Sequence, residues 1–217
     1  MVVALDFIYE DLYFEASDFA NELALEASKY YSKDINTIKC FDIESYVAET
    51  NDIEIIQYDF KEQLRNKMLG STSKIFDEVL IIINKNLFPE RKNFTTMHEI
   101  IHFYKDIPFA EEGHTFSDMI SENGYFPEDL PKEYRANIGA SILMANDHAL
   151  EYALHKFSTF EEVANYFFMS KSALHNRIKE YLIFKKQLTP NFAQQFLNNY
   201  RYGNKKNFLQ FLNKICT

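Results

Sequence analysis

The residues best suited to chemistry are His98, Glu99 and His102, set as His98-Glu99-Ile100-Ile101-His102. On a helix, residues four apart stand one turn apart on the same face. Two imidazoles so placed reach one metal ion, at about 2.0–2.1 Å if the ion is zinc. Glu99 stands beside them, positioned to take a proton from a water on that ion. Phe94, Met97, Ile100, Ile101 and Tyr104 cover much of the remaining surface, which predicts a buried helix with one polar face. Two plainer readings compete. Thr96 followed by Glu99 fits a capping box, in which Glu99 merely ties down a helix start. A buried histidine pair also serves as a hydrogen-bonded core feature.

The flanking elements must hold that face in place. Glu78 to Asn84 is the best strand in the chain, β-branched and apolar on both faces. As an edge it would pair with an extended peptide; as a central strand it has no free edge. Residues 53–58 read as a second strand, 15–31 and 42–49 as helices, and Gly70-Ser71-Thr72-Ser73 as a turn. Residues 1–14 have no clear assignment. A connection over 106–130 carries seven acids and no Lys or Arg. It reads either as a lid whose negative field favours basic substrates or as a solvated insertion. The next helix, about 131–145, bears Ala136, Gly139 and Ala140, small residues that admit a neighbouring helix closely. Glu133 precedes that face and reaches toward the metal, and Asn137 follows one turn on, placed to orient a ligand. Taken alone, Glu133 is a solvated acid near a helix N-terminus.

Asn84, Pro89 to Thr95, His98-Glu99-x-x-His102, Glu133-x-x-Ala136-Asn137 and Leu143-Met144 together resemble the ImmA/IrrE family of metallopeptidases, over about residues 20–182. The resemblance implies an α+β, mostly helical fold: a zinc-peptidase-like core of helices around a small sheet, with a C-terminal helical module. It implies His98, His102 and Glu133 as Zn²⁺ ligands and Glu99 as the catalytic acid/base. It further implies a helix-turn-helix repressor as substrate, whose cleavage switches on mobile-element or stress genes. Two residues depart from the family pattern. Ile101 stands where the family has a small residue, and Ala145 stands where it has proline after Leu-Met. Tyr104, His114, Tyr134 and His148 are unranked candidates for stabilising the oxyanion, while His155 and His175 read as structural or solvent-facing.

Charge divides the chain. Residues 1–155 carry 13 Lys+Arg and 29 Asp+Glu, whereas 156–217 carry 10 and 3, so a body of −16 precedes a tail region of +7. This predicts a metallopeptidase domain over 1–155 and a basic helical module over 156–217. In the module, Ser158 to Glu161 fits a capping box, and Ser170 caps a following helix. The pair resembles a helix-turn-helix whose second helix offers Lys171, His175, Asn176, Arg177 and Lys179 to DNA or to the substrate protein. Phe168 stands where such turns usually carry glycine. Cys40 and Cys216 make no disulfide framework, and no apolar run or basic leader is evident, so a cytoplasmic location is expected with no membrane partner. The rival to the peptidase is a non-catalytic regulator binding a repressor, a toxin partner or DNA through these helices.

Overall fold

The computed structural model describes residues 2–76, 78–119, 127, 129–203 and 205–215. Helix α1 (Val2–Tyr30) runs through both the unassigned N-terminal stretch and the helix expected from residue 15. Its inward row is small, with Ala16, Ala20, Ala24 and Ala27 at most 1 % exposed. After α2 (Cys40–Asn51) come β1 (Glu54–Tyr58), β2 (Met68–Ile75) and β3 (Glu78–Asn84), then α3 (Pro89–Lys105) and β4 (Thr115–Met119). Helix α4 (Leu130–Met144) packs on both α1 and α3. The fold is α+β and mostly helical, as expected.

The four strands lie in the order β1-β3-β2-β4, with β1 parallel to β3 and the other pairs antiparallel. Strand β3 is therefore central, and the edge reading for it is withdrawn. Asn84 ends it fully buried and donates to the carbonyls of Arg65 and Met68 at 2.8 and 2.7 Å. The turn expected at Gly70–Ser73 is instead the middle of β2. Its glycine and hydroxyl content reads as a turn, but pairing on both sides and a buried environment override that local preference. The bend comes later, at Phe76, which takes φ 53° beside the register pair Ile75 and Glu78.

The 106–130 connection is not irregular throughout. It makes a 3-10 turn at Ile107–Phe109 and then supplies β4. Asp106 and Asp118, expected among the acids of a lid, are only 5 % exposed each. Glu122, Gly124 and Glu128 lie outside the described residues.

Beyond α4 the chain forms α5 (Asp147–Lys156), α6 (Phe160–Tyr166), α7 (Lys171–Glu180), a π turn at Tyr181–Lys185, α8 (Pro190–Arg201) and α9 (Lys205–Ile215). The capping box of α6 sits one residue later than expected. Thr159 Oγ1 accepts from the Glu162 N–H at 3.1 Å, and Glu162 Oε2 accepts from the Thr159 N–H at 2.8 Å. Ser170 caps α7 as expected, accepting from the Ala173 N–H at 3.1 Å. Between them Phe168 takes φ 53°, the left-handed conformation for which glycine is the usual choice. Buried residues form one apolar cluster from Tyr13 on α1 to Leu212 on α9. Among the described residues no helix is long and apolar enough to cross a membrane.

Candidate metal centre

Helix α3 begins with Pro89 at its first turn, so Thr96 and Glu99 lie about two turns or more inside it. That position removes the capping-box reading of Glu99. Thr96 instead donates its hydroxyl to the Lys92 carbonyl at 3.0 Å. His98 and Glu99 are 0 % exposed and His102 is 1 % exposed.

The two histidines face each other, with Nε2 to Nε2 at 3.0 Å. Glu133 comes across from α4. Its Oε2 lies 3.3 Å from His98 Nε2, and its Oε1 lies 3.6 Å from His102 Nε2. Glu133 Oε2 makes no hydrogen bond although it is buried. The far nitrogens are also occupied. His102 Nδ1 lies 2.8 Å from Asp106 Oδ2, and His98 Nδ1 lies 3.2 Å from Asn137 Oδ1. Both partners are acceptors, so with a metal bound each imidazole would keep its proton on Nδ1 and turn the Nε2 lone pair inward. Two nitrogen lone pairs and a carboxylate then converge on one point. A cation is what such an arrangement lacks, and two His with one Glu suit a metal ion with an open position. His98, His102 and Glu133 form a buried set able to hold a metal, their ligand atoms all within 4.8 Å of one another. Ligand atoms of His98, Glu99 and Asp118 also lie within 4.8 Å of one another. The first set has both imidazoles already oriented from behind, by Asn137 and Asp106.

Electrostatics follow the same lines. Burial pushes the Glu99 carboxyl up to about 7, against the pull of His98, His102 and the Thr72 hydroxyl. At Glu133 burial also pushes upward, but the close approach of the His102 and His98 imidazoles wins and holds the carboxyl down at about 2. At His102 burial lowers, and the bonds to Asp106 and Glu133 outweigh it, raising the imidazole to about 9.

The sheet supplies the opposite wall. Gly70 and Thr72 share one face of β2 and pair in register with Asp118 and Phe116 of β4. Thr72 Oγ1 donates to Glu99 Oε2 at 2.7 Å. The Phe116 ring stacks on His102 at 5.2 Å and 7°. A Cβ at Gly70 would stand 2.7 Å from Thr95 Cγ2 and 2.8 Å from Glu99 Oε1, so glycine leaves room for both side chains. The small residues of α4 do similar work. A Cβ at Gly139 would stand 2.5 Å from Ile101 Cδ1. Gly139 thus makes room for Ile101, the bulky residue that departs from the family pattern.

Sequence reasoning missed this wall and the Asp106–Arg135 pair behind His102, where Arg135 Nη2 bonds Asp106 Oδ1 at 2.6 Å. Asp106 had a visible signal, since His98, His102 and Asp106 recur every four residues on one helix face. Gly70, Thr72, Phe116 and Asp118 had none, because strand register joins them.

The remaining candidates scatter. The Tyr104 hydroxyl bonds Asn51 at 2.8 Å, and its ring meets Phe19, about 200° around α3 from His102. Tyr134 packs on Tyr9 and, with Asn137, lines a cleft of about 660 Å³ between α3, α4 and α7. His114 is exposed, its ring 4.5 Å from Phe116. His148 is exposed on α5. Among the described residues, neither His114 nor His148 belongs to a cluster of metal-ligating atoms.

On α7, Lys171 and Asn176 are exposed, and Lys171 pairs with Glu161 at 2.9 Å. Lys179 is partly buried, and His175 lies 3.2 Å from the Gln194 amide. Arg177 is not on that outer face. It is 0 % exposed, and its Nε donates to the Ala145 carbonyl at 2.9 Å while Nη2 pairs with Asp147. Helix α7 is bound to the core through α5, so its one arginine points inward. Ala145, the other departure from the family pattern, provides the carbonyl for this bond.

A family model for the IrrE N-terminal-like domain, Peptidase M78, matches residues 48–179. The chain belongs to this family. The match spans every residue of the histidine–glutamate set and continues through most of α7. It places the chain among metallopeptidases, which act on proteins. No curated protein matches the chain.

Proposed function

We propose that this M78 chain is a cytoplasmic zinc endopeptidase that inactivates a helix-turn-helix repressor by limited cleavage, an anti-repressor for mobile-element or stress genes. The observation that carries the chemistry is the convergence of His98, His102 and Glu133 beside a glutamate with one uncommitted oxygen. His98, His102 and Glu133 hold the zinc, while Asn137 and Asp106 orient the two imidazoles. When bound, zinc supplies a Lewis acid for the scissile carbonyl and lowers the pKa of the attacking water. Glu99 takes the proton from that water as the new C–O bond forms. It then gives the proton to the leaving nitrogen as the C–N bond breaks. Burial works on this carboxyl to raise its proton affinity, which favours proton uptake from the water. The repressor as substrate rests on the family resemblance, and the acidic N-terminal body suits a basic DNA-binding protein.

The rival, a non-catalytic regulator that binds DNA through α7, has lost its strongest contact, because Arg177 is buried. The test uses a purified helix-turn-helix repressor as substrate and two variants. Glu133→Ala should lose stoichiometric zinc along with cleavage. Glu99→Gln should retain zinc and lose cleavage. Normal zinc in Glu133→Ala, or full cleavage by Glu99→Gln, would sink the assignment.

A further inference from the structure

A general base must present one oxygen to the water and keep it there. Glutamate has three rotatable side-chain bonds, so something outside α3 has to choose its conformation. We propose that Thr72 is the positioning residue for Glu99, its hydroxyl holding Oε2 so that Oε1 alone faces the attacking water. This rests on the endopeptidase reading above.

Thr72 is 0 % exposed at the centre of β2. Its hydroxyl has two acceptors on the same residue, Glu99 Oε2 at 2.7 Å and the Glu99 main-chain carbonyl at 3.2 Å. A bond to a carboxylate is the stronger of the two kinds, and it is also the shorter here. Threonine is β-branched, with few χ1 choices in a strand, so the donor is aimed before any substrate arrives. The second oxygen is treated in the opposite way. Glu99 Oε1 is buried and makes no hydrogen bond. It projects over Gly70, where a Cβ would stand 2.8 Å from it, 3.1 Å from Glu99 Cγ and 2.7 Å from Thr95 Cγ2. Gly70 and Thr72 lie on the same face of the strand, two residues apart. One ties an oxygen down and the other clears space for its partner. A threonine serving only to satisfy its own buried hydroxyl needs no more than the main-chain carbonyl, and the shorter bond to Oε2 has no place in that account.

The experiment uses the zinc-loaded chain of residues 1–217 and a purified helix-turn-helix repressor as substrate. Thr72→Val keeps the shape and removes the donor. It should keep zinc content and KM and lower kcat about 10- to 100-fold, the usual cost of losing such an outer partner. Thr72→Ser restores the hydroxyl and should recover most of kcat. In a Glu99→Gln background, Thr72→Val should change the residual rate no further, since its target has gone. A crystal structure of Thr72→Val should show Glu99 in more than one rotamer. Should Thr72→Val not fold, Gly70→Ala in a Thr95→Ser background carries the test: loss of Thr95 Cγ2 leaves Oε1 as the atom crowded, and kcat should fall below that of Thr95→Ser alone with zinc retained. Wild-type kcat in Thr72→Val, no such fall on adding Gly70→Ala, a loss confined to zinc or KM, or no rescue by serine overturns the positioning role. No Glu99-dependent cleavage by the wild type overturns the endopeptidase reading and this inference with it.

Discussion

Glu99 on α3 and Glu180 on α7 respond to burial alike and keep different company. Burial pushes each carboxyl up to about 7. Around Glu99 stand two histidines, the Thr72 hydroxyl and Asp118, with Glu133 arriving from another helix. Around Glu180 the charges that answer it are Arg177 and Lys179 of its own helix. Arg177 is already tied to Asp147 and the Ala145 carbonyl. Perturbation alone is therefore the ordinary consequence of enclosing a carboxyl. What marks the site is several lone pairs from different elements converging on one point.

The largest expected effect breaks the pair apart. Glu99→Gln should lower kcat about 10²- to 10⁴-fold, the span of general acid–base catalysis. Glu180→Gln should leave it within about twofold. On stability the two should behave alike in the metal-free chain. Each folded pKa, about 7, lies above the ordinary carboxyl value of 4.5. Stability from each group is thus fully present below 4.5 and lost as pH rises through 7. Replacing either carboxyl by an amide should raise Tm at pH 8 and change it little at pH 4.5. If Glu180→Gln abolished cleavage, convergence would be the wrong criterion.

Arg177 gives the next largest effect. Arg177→Met removes a fully buried charge and strands Asp147, which keeps Asn21 at 3.0 Å and Lys185 at 3.6 Å. Breaking a buried pair from one side costs about 3–5 kcal/mol, and those remaining partners put this case near 3. Urea unfolding measures it. An Arg177 that served DNA would give the reverse pattern, with stability kept and salt-dependent affinity lost.

The sequence carried the helices well because their signals are local. His98, Glu99 and His102 share a turn, Glu133 and Asn137 share a turn, and Ser170 caps α7 from the adjacent residue. The sheet face was invisible for the opposite reason. Gly70 and Thr72 meet Asp118 and Phe116 only through register between strands more than 40 residues apart, and their composition mimics a turn. Arg177 was misread because a basic residue in a helix-turn-helix-like pair looks solvent-facing. Its true direction depends on Asp147, 30 residues earlier.

Proton release sharpens the comparison at the metal. In the metal-free chain His102 titrates near 9, raised by Asp106 and Glu133 over the opposing effect of burial. Its stability contribution is therefore fully present below 6.5 and lost as pH rises through 9. Zinc at pH 7.5 has to displace that proton, so calorimetric titration in two buffers of different ionisation enthalpy should report about one proton released. Asp106→Asn should reduce that release and weaken zinc about 10- to 100-fold. Unchanged release would place the proton elsewhere.

The smallest effect concerns how α3 and α4 fit together. Ile101 is fully buried, and its Cδ1 and Cγ1 would meet a Cβ at Gly139 at 2.5 and 2.7 Å. Since Cγ1 is not the flexible tip, the whole side chain must change rotamer inside a packed core. Gly139→Ala should therefore cost about 1–2 kcal/mol, although alanine is the better helix former by about 1 kcal/mol. Ile101→Ala alone opens a cavity and should cost about 2–5 kcal/mol. In that background the sign reverses: Gly139→Ala meets no clash, fills part of the space and gains its helix propensity. Unfolding of the four proteins gives the coupling directly. Additive losses would show that Gly139 serves some purpose other than admitting Ile101, and the bulky residue between the two histidines would need another account.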